Sequence, residues 1–280
     1  MDYIKPLDLV KNMLAAGETK ARLTVKDLLI RGFLSGALLG FATSLALTAT
    51  AQTNTPLVGA LVFPVGFVMI VLLGLELVTG SFAITTLAAV AGRRSWAQVT
   101  ANLAWVFLAN LAGSIAYGVL LYVVLTNMGT DAPSGIAASI VKITEAKTLA
   151  YASHGFAGMV TVFTKAILCN WMVCLGVVMA LTSQSTIGKI VAMWLPILTF
   201  FAQGFEHSVV NMFMIPTGML LGAKVSVSDW WLWNQLPVTL GNLVGGFLFT
   251  GLFLYWTYKP APAAATETSA TLAAPEPARA

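Results

Sequence analysis

The chain has 280 residues, of which 58% are hydrophobic and only 9% charged, with a formal net charge of +4. A water-soluble domain carries about 25% charged residues, so this chain has too few to cover a water-facing surface, and much of its surface must face lipid. Its Lys and Arg residues sit near the ends of apolar runs rather than in a basic stripe interleaved with aromatics, which argues against a nucleic-acid partner.

Residues 1–27 are polar and of mixed charge, unlike a signal peptide. Ile4, Leu7, Leu9, Val10, Met13 and Leu14 would share a rough apolar face, so an amphipathic helix is expected on the cytoplasmic membrane surface or beneath the bundle. A bilayer crossing needs about 20 mostly apolar residues. Six runs qualify, near 28–51, 57–91, 99–126, 155–181, 187–221 and 236–258. They lack the strict alternation of a membrane barrel, so the expected class is an all-α membrane protein with six transmembrane helices. The pore domain is expected to span 28–258, followed by a disordered cytoplasmic tail over 259–280 that is rich in Ala, Pro and Thr. Cys169 and Cys174 lie inside the fourth run, with spacing that suits neither a disulfide nor a metal site. No cofactor and no metal are expected.

Lys5, Lys11, Lys20, Arg22, Lys26 and Arg31 precede or open the first run, Arg93 and Arg94 connect the second to the third, and Lys189 connects the fourth to the fifth. The positive-inside rule puts these regions and both termini in the cytoplasm.

The second and fifth runs are too long for simple spans, and each is interrupted. The second carries Phe63-Pro64 early and Leu77-Val78-Thr79-Gly80-Ser81 later. The fifth carries Leu195-Pro196 and then Gln203-Gly204-Phe205-Glu206-His207-Ser208. Both are read as broken helices. The two halves of the chain also repeat: Pro64 and Pro196 are 132 positions apart, as are Asn110 and Asn242, and Gly113 and Gly245, while Glu76 and Glu206 are 130 apart. Three helices per half is an odd number, so the second half is expected to be inverted, giving a 3+3 inverted repeat. Broken helices at the midplane of such repeats expose helix N-termini, which favour anions.

Ionisable residues inside the spans are few: Glu76, Lys165, Glu206 and His207. Each costs at least ~2.5–3.5 kcal/mol on insertion scales, so they are functional candidates. His207, at the fifth-helix break, can donate a hydrogen bond to an anion or exchange a proton near neutral pH. Thr79, in the first break, is a candidate hydroxyl donor, and Asn170 either donates from the fourth helix or bridges helices. Glu76 and Glu206 would repel an anion if they lined the pore, so they are expected to hold the breaks by accepting bonds from backbone N–H groups.

Phe205-Glu206-His207-Ser208-Val209-Val210-Asn211-Met212 closely resembles the fifth-helix signature of the formate/nitrite transporter family. Cys169-Asn170-Trp171-Met172-Val173-Cys174 resembles its fourth-helix signature, Gly74-Leu75-Glu76-Leu77-Val78-Thr79-Gly80 its second-helix break, and Pro237 to Asn242 its sixth helix. The resemblance implies an aquaporin-like protomer in the bacterial inner membrane, assembled as a homopentamer with one pore per protomer, surrounded by membrane lipid. It implies a small anion substrate, formate first, with nitrite or hydrosulfide as alternatives and linkage to protons. By motif, Phe63 and Phe67 with Phe200 would form a cytoplasmic constriction, and Leu77 with Val173 a periplasmic one. His207 would be the central histidine, Thr79 the loop threonine, Asn170 the chamber asparagine, and Glu206 and Asn211 the supports of the histidine. A vestibule lysine is expected 16 positions before the asparagine, but that position is His154. Either His154 takes the anion-attracting role, or an altered loop brings in Lys147. A neutral-solute or water channel is the rival of a different class, although the paired Asn-Pro-Ala breaks of aquaporins are absent. No HExxH or Gly-x-Ser-x-Gly pattern suggests an enzyme.

Overall fold

The structure is a computed structural model that describes residues 2–259. The expected tail at 260–280 lies outside the described residues. Apart from an isolated bridge between Tyr3 and Ser183, all regular structure among the described residues is helical.

Helix α1 (Pro6–Ala21) is the amphipathic segment. It buries Leu9, Val10, Met13 and Leu14 against Ala83, Ile84 and Leu87, while Leu7 of the expected face points outward and is exposed. Asp2 ties the chain ahead of α1 to a distant loop. Its carboxylate accepts bonds from Ser183 Oγ at 2.7 Å and from the backbone N–H groups of Gln184 and Ser185 at 2.6 and 2.7 Å.

Among the described residues, four helices are long and apolar enough to cross a membrane: α2 (Val25–Thr53), α5 (Trp96–Thr126), α8 (Gly155–Ala180) and α11 (Val227–Thr257). Between them lie shorter apolar helices: α3 (Pro56–Leu72) and α4 (Val78–Val90) in the first half, α9 (Thr186–Ala202) and α10 (Ser208–Leu220) in the second. Helices α6 (Ile136–Ala146) and α7 (Leu149–Ser153) join the halves.

Small residues set the helix–helix approach. A Cβ at Gly36 would overlap the Asn110 carbonyl, one at Gly113 the Phe33 carbonyl, and one at Gly245 the Ile167 carbonyl. The close α2–α5 and α8–α11 contacts therefore depend on glycine, as membrane helix pairs commonly do. Two π-helical turns in α11, Trp231–Gln235 and Gly245–Leu252, shift its register. The first lets adjacent residues Asn234 and Gln235 both turn inward, where both are fully buried.

Candidate functional site

The segments joining α3 to α4 and α9 to α10 are built alike. Each contains a glycine in the left-handed region, Gly74 at φ 63° and Gly204 at φ 64°, which suits glycine because it lacks a Cβ. Each then has an extended residue before the next helix, Leu77 at φ −115° and ψ 117° and His207 at φ −112° and ψ 121°.

One asparagine holds each new helix start. Asn110 Oδ1 accepts the Val78 N–H at 2.9 Å, and its Nδ2 donates to the carbonyls of Gly32 at 2.8 Å and Glu76 at 2.9 Å. Asn242 repeats this in the second half, accepting the Ser208 N–H at 2.8 Å and donating to Ala166 O at 2.8 Å and Glu206 O at 2.9 Å. A helix start leaves N–H groups without intrahelical partners, and a carboxamide supplies both the acceptor and the donors needed there.

The expectation that Glu76 and Glu206 hold these turns through backbone N–H groups is therefore corrected. Their carboxylates serve lysines instead. Glu76 Oε1 accepts from Lys20 Nζ at 2.7 Å. Glu206 accepts from Lys147 Nζ at 2.8 Å, Tyr151 Oη at 2.9 Å and Asn211 Nδ2 at 2.8 Å. A buried carboxylate needs a counter-charge or several donors to offset desolvation, whereas a neutral amide can meet the helix start without one.

The sequence left the vestibule cation open between His154 and Lys147. Lys147, the residue following α6, reaches Glu206, and its carbonyl accepts Asn234 Nδ2 at 2.8 Å. Asn234 Oδ1 in turn accepts from Asn211 Nδ2 at 2.8 Å. His154 is exposed at the α7–α8 junction, in a surface concavity with Ala150, Tyr151 and Thr161. Helix α7 folds the residues between Lys147 and His154, and Lys147 is the one of the two that reaches Glu206. Lys165 stands 5.9 Å from the centre of the Tyr151 ring.

At the centre, His207 Nε2 and Thr79 Oγ1 lie 3.0 Å apart, joining the two halves side chain to side chain. His207 Nδ1 accepts the Val210 N–H at 3.2 Å, so a neutral ring carries its proton on Nε2 and presents it to Thr79 or to a guest. Phe200 stacks on the imidazole with ring centroids 5.6 Å apart. Asn170 has both amide protons committed, to Thr79 O at 3.0 Å and Asn242 O at 2.7 Å. These bonds bridge helices, the second of the two expected roles, and its Oδ1, with no partner among the described residues, offers an acceptor rather than a donor.

Phe63, Phe67, Leu77, Val173 and Phe200 are all buried in one apolar cluster around this pair. Phe63 sits at the kink before Pro64 and packs on Phe201 at 3.9 Å and Phe200 at 5.7 Å between ring centroids. Their order differs from expectation. Leu77 and Phe67 line a cavity of about 260 Å³ together with Val177, Lys20 and Lys189. Glu76, next to Leu77, is tied through Asn110 to the level of Gly32, whereas Gly66 packs against Leu38 and Ala42 farther along α2. At 1.5 Å per residue, Gly32 to Ala42 is about 15 Å. Leu77 therefore lies nearer the α1 end, and Phe63 lies farther from it. Sequence alone could not order them, because a broken helix does not advance steadily along its axis. Asn234 and Tyr151 were not singled out from sequence, and only an inward-facing π-turn or a loop contact would have revealed them. Asn110 and Asn242 carried a signal in their equal spacing.

A family model described as formate/nitrite transporter matches residues 7–256. The chain belongs to the formate/nitrite transporter family. A curated protein of Methanothermobacter thermautotrophicus described as "Probable formate transporter" is 37% identical, covering 91% of this chain and 97% of that one. The formate channel FocA of Escherichia coli strain K12 is 30% identical over 91% of this chain and 94% of its own. Among solved structures, an "FNT family ion channel" aligns with TM-score 0.76 at 30% identity, covering 90% of this chain and 99% of that one. A "Pentameric formate channel with formate bound" aligns with TM-score 0.69 at 26% identity, over 84% and 97% of the respective chains. This member of the formate/nitrite transporter family is thus a multi-pass membrane protein whose relatives are transporters and channels, not enzymes.

Proposed function

We propose that this protein moves small monovalent anions, formate first, across the plasma membrane together with protons, through a pore centred on His207 and Thr79. The observation that carries this reading is the 3.0 Å pairing of His207 Nε2 with Thr79 Oγ1 inside the apolar cluster of Phe63, Phe67, Leu77, Val173 and Phe200. An ionised carboxylate pays heavily to enter such a wall. Formate that takes a proton crosses it as the neutral acid, hydrogen-bonded to the two side chains on the way.

The pore is read as six crossings in a 3+3 inverted repeat, with α3–α4 and α9–α10 as the two broken helices. The matching roles of Asn110 and Asn242 support that reading. On the α1 side, Lys20 beside Glu76 attracts the anion; on the other, Lys147 beside Glu206 does so. The α1 side is cytoplasmic, with both termini, by the distribution of Lys and Arg. Leu77 and Val173 then belong to the cytoplasmic constriction and Phe63 with Phe200 to the periplasmic one. The chain assembles as a homopentamer, as does the pentameric formate channel it resembles. Nitrite and hydrosulfide, with the same charge and a similar size, fall in the same substrate range.

The test is formate entry into proteoliposomes with and without an inward proton gradient, against protein-free vesicles. Gradient-accelerated entry is expected. Entry indifferent to the gradient would remove the proton, and no entry above the control, with water flux intact, would turn the reading toward a neutral-solute channel.

A further inference from the structure

Three arginines converge on a single carboxylate on the α1 side, outside the pore. Arg22 ends α1, and Arg93 and Arg94 lie in the turn between α4 and α5. All three surround Glu18, with Arg22 Nη2 at 2.6 Å, Arg94 Nη2 at 3.5 Å and Arg93 Nη1 at 3.8 Å. Only the Arg22 contact is a hydrogen bond. Each guanidinium brings five donors, and one carboxylate has two oxygens, so the cluster keeps most of its donors free and a local charge of +2. Arg94 is mostly covered, with its side chain 17% exposed, and its buried Nε has no partner among the described residues. The neighbouring cation Lys20 is committed to Glu76, and Asp27 faces Arg31 and Thr24. Among the described residues, no second acid completes the cluster.

The position of the cluster indicates what would complete it. Arg94 immediately precedes Ser95, the N-cap of the membrane-crossing helix α5. Trp96, in the first turn, is 52% exposed and lies edge-on to Phe247 of α11, with ring centroids 6.2 Å apart. The guanidinium groups thus lie at the N-terminal end of a membrane-crossing helix, next in sequence to the exposed Trp96, which packs on the half-buried Phe247. We propose that Arg22, Arg93 and Arg94 bind the phosphate of an anionic phospholipid in the leaflet on the α1 side, with Trp96 and Phe247 receiving the acyl chains. Arginine forks match phosphate oxygens in pairs. The anionic lipid supplies the charge that Glu18 alone does not. Its attraction is worth about 1 kcal/mol per basic residue near the surface, or roughly fivefold in affinity. Bound there, the lipid joins the end of α1 to the α4–α5 turn and holds α1 across the mouth of the cavity that Lys20 lines.

The test is native mass spectrometry of the purified full-length protein, titrated in micelles with phosphatidylglycerol and, separately, with phosphatidylcholine. Wild type is expected to retain phosphatidylglycerol preferentially. R22Q/R93Q/R94Q is expected to weaken that binding about a hundredfold and to leave phosphatidylcholine binding unchanged. Glu18→Gln, which removes the competing carboxylate, is expected to strengthen it about fivefold. This second variant keeps the proposal falsifiable if the triple variant does not assemble. Equal retention of the two lipids by wild type overturns it. So does undiminished phosphatidylglycerol on an assembled triple variant, the outcome expected if an acidic side chain of a neighbouring subunit occupies the cluster. Binding that does not rise in Glu18→Gln overturns it as well.

Discussion

His207 and Lys147 are the side chains whose chemistry the rest of the fold positions. His207 has its Nδ1 fixed by the Val210 N–H, so only Nε2 is free to face Thr79 or a substrate. His207→Phe keeps a ring on the Phe200 stack and removes that donor. Gradient-driven formate flux is expected to collapse while the variant still assembles, and unchanged flux with unchanged pH dependence would remove His207 from the pathway. Lys147 and His154 give a paired contrast. His154→Ala is expected to leave uptake as it was, because the ring is exposed and away from Glu206. Lys147→Met leaves the Glu206 carboxylate, 2% exposed, without its cation. Removing one partner of a buried pair costs roughly 3–5 kcal/mol, so a lower melting temperature is expected along with slower uptake. The identity of the candidate site was largely legible at this scale: His207, Thr79 and Glu206 all come together. The choice between two cations was not, because sequence counts residues along the chain, whereas α7 folds the residues between Lys147 and His154.

The two asparagine brackets are the devices that matter among the helices. Asn242→Leu is close to isosteric but strands the Ser208 N–H and the carbonyls of Ala166 and Glu206. Each buried polar group left unpaired costs about 1–3 kcal/mol. The expected result is a marked loss of pentamer on size exclusion, shared by Asn110→Leu, whereas Asn170→Leu would be milder. Equal tolerance of all three would mean that the turns are held elsewhere. The break positions themselves were readable from Gly74, Gly204 and the residues after them. What secures the breaks was misassigned to Glu76 and Glu206, since charge draws notice in an apolar sequence while a neutral amide does not. A second element-scale device is the docking of the chain ahead of α1. The Ser183 hydroxyl, followed by the Ser185 and Gln184 N–H groups, holds the Asp2 carboxyl below the ordinary aspartate value of 3.8. The folded value lies below the unfolded one, so the contact contributes fully above about that unfolded value and is lost as pH falls through the folded value. The protection factor of the Ile4 amide, whose N–H donates to Thr182 O at 2.8 Å, should therefore fall at acid pH, and Asp2→Asn should lower it already at neutral pH.

The whole molecule exposes large apolar side chains such as Leu29, Phe33, Phe41, Leu120 and Val124 along its long helices. Such an extent of apolar surface demands lipid or neighbouring subunits. If each protomer carries its own pore, as proposed, mixed assemblies of wild type and His207→Phe should transport in simple proportion to the wild-type fraction. A much steeper loss would mean that the subunits share a pathway.

The sequence by itself determined the membrane class, the helical architecture and the family. Hydrophobic run length and the spacing of rare polar residues depend only on the bilayer and on helix geometry, and both are written linearly in the chain. The tertiary structure decided which lysine meets Glu206, which asparagines carry the helix starts, and which apolar side chains stand toward the α1 end. These depend on how interrupted helices and a folded loop bring distant residues to one level. That is a property of packing in three dimensions, and no spacing along the chain contains it.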